Sequence, residues 1–155
     1  MKVVLQVSAS VRAAVPHALR RALVRKLAAA GRRIGVAEGA TVTVRITDDE
    51  EVARLHDDFM GLPGPTDVLS FPSEDDDEVS LGDLVIGWPF AVRQSAARGT
   101  GPAAWQDEVI DLCLHGLAHL LGHDHATRPQ ARAMLRFERR LARRAAMPSP
   151  ERPYG

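Results

Sequence analysis

The chain has 155 residues, 45% of them hydrophobic, so one domain can bury a core without help from disulfides, and its single Cys113 could not form an internal one. Twenty basic residues balance twenty acidic ones, which excludes a polycation that coats nucleic acid indiscriminately; any such contact must come from a local patch. There is no charged-then-apolar leader and no apolar run of about 18 residues, so the expectation is a soluble cytoplasmic protein with no membrane partner.

Met1 to Ser8 alternates through Val3, Leu5 and Val7 and reads as a strand. Pro16 suits the first turn of a helix that runs to about Arg33, with Leu19, Leu23 and Leu27 at helical spacing. Ala40 to Ile46 alternates again around Val42 and Val44, and Thr47 with Glu50 forms a capping-box pair that predicts a helix through about Met60. Gly61 to Pro65 is rich in turn formers. Asp67 to Phe71 is a short strand ended by Pro72, and Leu81 to Trp88 is a further strand beyond the acidic loop Glu74-Asp75-Asp76-Asp77-Glu78. Pro89 to Arg98 is expected to be helical, and Ala103 to Leu121 is a long helix stopped at Gly122. Thr127 and Gln130 make a second capping box, opening a last helix to about Arg144. The fold class that follows is α+β, a small sheet of about four strands with about five helices. One domain covers residues 1–146, and the proline-containing tail 147–155 is expected to be disordered.

The strongest chemical signal is His115-Gly-Leu-Ala-His119-Leu-Leu-Gly122-His123-Asp124-His125. Helical residues four apart lie on one face with Cβ atoms about 6 Å apart, so His115 and His119 can face one ion. Gly122 then lets the chain turn back and bring His125 to the same ion from another side. A lone histidine on an apolar face is usually a satisfied core group, but three at ligand spacing across a glycine turn point to metal, and three imidazoles favour zinc with an open position for water. His123 reads better as a wall or outer group than as a ligand. Asp124 either orients a ligand imidazole by accepting its other N–H or caps the turn. The ligand spacing also matches a metzincin-type metallopeptidase, yet the glutamate such an enzyme needs after the first histidine is Gly116 here.

The same histidine stretch resembles the hallmark of the YbeY family of bacterial rRNA-maturation metallo-endoribonucleases. Pro65-Thr66-Asp67-Val68-Leu69-Ser70-Phe71-Pro72 resembles its second block and Leu81-Gly82-Asp83-Leu84-Val85-Ile86 its third. The resemblance implies an α+β fold with the metal site on the penultimate helix, and zinc ligands at His115, His119 and His125. It also implies single-strand-specific, zinc-dependent RNA cleavage in small-subunit rRNA 3′ end maturation and ribosome quality control, with ribosomal RNA, the ribosome and ribosome-associated proteins as partners. Ala118 and His123 stand where the family more often has leucine and tyrosine. Met60 stands where it often has arginine, a natural partner for a phosphate in the cleft. Arg54, about two helical turns earlier, is too far along to replace it. Arginines cluster on the first helix (Arg20, Arg21, Arg25, Arg32, Arg33) and on the last, where Arg132, Arg136 and Arg139 are the candidate RNA contacts. A metallopeptidase and a ribosome-associated module with purely structural zinc remain as alternatives.

Overall fold

The computed structural model describes residues 1–75 and 79–150. Elements follow in the order β1 (Lys2–Val7), α1 (His17–Arg33), β2 (Thr41–Thr47), α2 (Asp49–Met60), β3 (Val68–Pro72), β4 (Ser80–Gly87), α3 (Trp88–Ser95), α4 (Pro102–Leu120) and α5 (Arg128–Arg144). The α+β expectation therefore holds, with a four-stranded sheet and five helices among the described residues. The sheet order is β1-β2-β4-β3. Strands β1, β2 and β4 run parallel, while β3 runs antiparallel to β4 and forms one edge.

Alternation along the strands decides what each sheet face covers. Val42, Val44 and Ile46 of β2, with Leu84 and Ile86 of β4, are fully buried in the main core with α1 and α4. Burying one such side chain stabilises by about 1.5–3 kcal/mol as an upper figure. Val85, between two of them, points the other way and joins Val52 of α2 and Leu69 of β3 in a small second cluster. Helix α4 is buried over most of its length, from Ala104 to Ala118, because it packs against β3, β4, α1, α3 and α5. Its two buried acids are answered from the loop after α3, where Arg98 donates to Glu108 (2.6 Å) and Asp111 (2.7 Å).

Local signals were misplaced at several points. The N-cap of α2 is Asp48, whose carboxylate accepts from the Glu51 N–H at 2.9 Å. Thr47 ends β2 instead; it is fully buried, and its hydroxyl is engaged by Ser8 and Glu51, so it cannot cap. Pro16 is the N-cap of α1 rather than a residue of its first turn, and α3 closes at Ser95 rather than Arg98. The Thr127–Gln130 capping box forms as expected. Met147, the first residue of the expected tail, is buried in the main core and donates its N–H to Ala142 O at 2.8 Å. Residues 148–150 of that tail are in no helix or strand, while 151–155, and 76–78 of the acidic loop, lie outside the described residues.

Candidate metal centre

Helix α4 carries His115 and His119 one turn apart, both half-buried at the edge of its apolar surface. The helix ends with Leu121 as C-cap, and Gly122 takes φ +94°, a left-handed conformation that a side chain would strain. The N–H groups of Gly122 and His123 close back onto His119 O and Ala118 O, each at 3.0 Å. The chain thus reverses sharply and returns His125 to the helix face. One side-chain nitrogen from each of His115, His119 and His125 lies within 4.8 Å of the other two. The ring centroids are 4.8 Å (115 to 119), 5.4 Å (119 to 125) and 6.0 Å (115 to 125) apart. With metal–nitrogen bonds of about 2 Å, these three could hold one metal ion.

The donor set fits that use. Nδ1 of His115 lies 2.7 Å from Oε1 of Glu138, a residue of α5 with 1% exposure. A carboxylate there fixes the ring and leaves Nε2 for the ion. Burial first, and then the neighbouring His115 and His125, hold the His119 pKa below its ordinary value, which favours the neutral, ligating form. Asp124 accepts the His125 backbone N–H at 2.7 Å, which braces the turn. The His123 ring stacks on Phe137 at 4.2 Å and 19°, and the residue lines the same cleft as the three-histidine group. Cys113 is fully buried and its thiol pKa is pushed up by burial, so it serves neither as ligand nor as nucleophile.

These histidines form one wall of a cleft of about 670 Å³. Edge strand β3 with the preceding Thr66 and Asp67 forms a second wall, and His56 and Met60 of α2 form a third. No arginine or lysine lines it among the described residues. Arg132, Arg136 and Arg139 are exposed on α5 but lie outside the cleft wall, as does Arg54 on α2. Met60 is 47% exposed, so it is a cleft-lining residue and not a core one. Gly116 has a plain structural reason: a Cβ there would sit 2.7 Å from Leu84 Cδ2 and 3.1 Å from Ser70 Oγ. The position after His115 packs against β3 and β4 and, as glycine, offers no side chain that could act as a base.

Two residues of the site escaped sequence reasoning. Glu138 is 23 residues from His115, on a helix whose signal was its arginines, and only packing of α5 against α4 joins them. His56 had a local signal that was overlooked: it precedes Met60 by four residues and therefore shares its helix face.

Similarity to known proteins agrees with this geometry. Residues 7–146 match the family described as "Endoribonuclease YbeY". A Cutibacterium acnes protein of that name is 41% identical over 114 residues, covering 68% of this chain and 72% of the relative. One from Alkalilimnicola ehrlichii is 38% identical over 142 residues, covering 88% and 82%. The solution structure of the Thermotoga maritima protein TM1509 superposes with a TM-score of 0.50 at 19% identity, over 97% of this chain and 99% of that one, which supports the fold alone. Taken with the clustered histidines, the matched span places this chain in the YbeY endoribonuclease family, whose members are hydrolases acting on RNA.

Proposed function

We propose that the chain is a zinc-dependent endoribonuclease that cuts single-stranded RNA, acting in maturation of the small-subunit rRNA 3′ end and in ribosome quality control. The observation that carries this is the three-histidine group, braced by Glu138 and open to a cleft, in a chain of an endoribonuclease family. Three imidazoles with a free direction are the usual donor set of a catalytic zinc, whereas structural zinc sites fill four positions and favour cysteine.

When bound, zinc would supply a water of lowered pKa and polarise a phosphoryl oxygen. The chain's residues do the rest. His115, His119 and His125 hold the ion, Glu138 keeps the His115 ring oriented, and Asp124 keeps the turn that carries His125. Met60, a large apolar side chain exposed at the end of α2, lines the cleft, and its chain neighbours Phe59 and Leu62 are exposed as well. Unstacked bases of a single strand favour such a surface, and a duplex does not present them. Arg132, Arg136 and Arg139 are proposed to hold flanking phosphates, which makes binding weaken as salt rises. The working partners are then ribosomal RNA, the ribosome and ribosome-associated proteins in the cytoplasm. No helix among the described residues is long and apolar enough to cross a membrane.

A metallopeptidase reading has the ligands but lacks the base, because Gly116 faces the sheet. The two are separated by offering the zinc-loaded protein single-stranded RNA, duplex RNA and a peptide library, each with and without chelator. Chelator-sensitive cutting of the single strand alone is expected. Peptide cleavage without RNA cleavage would transfer the case to the peptidase.

A further inference from the structure

We propose that His56 is the general acid of the cleft, giving its Nε2 proton to the ribose oxygen that leaves as the RNA backbone is cut. Its ring is held for the task. Nδ1 lies 2.9 Å from the Gly64 carbonyl oxygen, which can only accept, so Nδ1 carries a proton and Nε2 is the nitrogen that changes state. The loop 61–64 wraps back onto the same residue, with the Leu62 N–H pointing to the His56 carbonyl at 3.4 Å. Ring and backbone are thereby tied by one loop, and the imidazole of α2 lines the same cleft as His115 and His119 of α4 and His125 of the following turn.

Elimination among the other cleft residues leads to the same group. Met60, one turn along on the same face, cannot donate a proton, and no arginine or lysine lines the wall. Asp67 accepts from the Val68 N–H and from Gln94. Ser70 donates to Gly116 O, and the His123 ring is stacked on Phe137. Among the described residues, His56 and His123 are the non-ligand wall residues that can carry a positive charge, and of the two His123 has its ring face packed on Phe137.

The step balances. A water oxygen forms the new bond to phosphorus and releases its proton to solvent. The bond from phosphorus to the leaving ribose oxygen breaks with its electron pair on that oxygen. His56 gives that oxygen its Nε2 proton and regains one from solvent.

Resting on the RNA-cleaving role proposed above, the test compares the zinc-loaded native protein with His56→Asn, whose amide can still donate to Gly64 O, and with His56→Gln. The substrates are a single-stranded RNA and its counterparts with sulfur in place of either bridging oxygen at the cut site, since a thiolate leaves without a proton. On the oxygen substrate both variants should lose about 100-fold in kcat with KM little changed. On the substrate whose leaving atom is sulfur they should match the native protein within about threefold. Equal losses on both substrates, or no loss, would overturn the assignment while leaving the nuclease reading intact. Native protein inert on RNA would overturn both. A readout independent of turnover is the NMR signal of the His56 ring during titration of zinc-loaded protein with inorganic phosphate. A saturable shift is expected, and an unmoved signal would count against the proposal.

Discussion

Nδ1 of His115 and Oε1 of Glu138, 2.7 Å apart, join helix α4, which carries two of the clustered histidines, to the arginine-rich helix α5 at a point where the glutamate is 1% exposed. A carboxylate so buried is costly unless its charge is answered; an imidazole N–H answers it, and a metal held by the ring's other nitrogen would make that N–H more polar. Glu138→Gln keeps the shape and removes the charge. Zinc affinity, measured by competition with a chromophoric chelator, should fall about 10- to 100-fold with the fold retained. Unchanged affinity would mean that the contact serves packing alone.

Met60 is 47% exposed on the cleft wall, so a longer polar side chain fits there without entering the core. Met60→Arg should add a second cation near the cut phosphate and raise the cleavage rate by up to about 100-fold. Metal content should stay the same, and the melting temperature should move by no more than about 2 °C. A less stable variant with no gain in rate would show that position 60 does not face the phosphate.

How far the sequence discloses this structure depends on how far apart the partners are along it. The histidine pair of α4, the glycine turn and His125 are written within eleven residues, and local rules suffice for them. Thr127 and Gln130 likewise cap α5 as their spacing says. At the start of α2 two capping residues are adjacent, and the choice of Asp48 over Thr47 is made by Ser8, which accepts from the Thr47 hydroxyl just past the end of β1, 39 residues away. Glu138 is invisible for the same reason, because nothing on α5 marks it as different from its surface neighbours until α5 packs on α4. Arg132, Arg136 and Arg139 are conspicuous in sequence and stand outside the cleft, while the quieter His56 lines it.

Gly116 lets α4 approach the sheet, and a methyl group there would press on Leu84, which is fully buried and has little room to yield. Gly116→Ala should cost about 1–3 kcal/mol despite the better helix propensity of alanine. Thermal unfolding reads this as a fall of several degrees. A neutral or stabilising result would contradict the close helix–sheet contact.

Glu51 is held below the ordinary carboxylate pKa of 4.5, first by the hydrogen bond from Arg45 and then, against the opposing effect of burial, by Thr47. The folded protein therefore binds this proton more weakly than the unfolded chain. The stability it contributes is complete above pH 4.5 and is lost as pH falls through the depressed folded value. Arg45→Met removes the first cause. The melting-temperature gap between native protein and variant should be widest near neutral pH and should close as the solution is acidified through the depressed folded value. A gap independent of pH would show that the guanidinium acts through packing only.

The most direct measurement of the central claim follows RNA cleavage as zinc is returned to chelator-treated protein, with bound metal counted on the same samples. The rate on a single-stranded RNA should rise from nothing in proportion to bound zinc and level off near one ion per chain, and His119→Ala should neither bind the ion nor cut. Cleavage that persists in the metal-free protein, or in His119→Ala, would contradict a catalytic centre built from His115, His119 and His125.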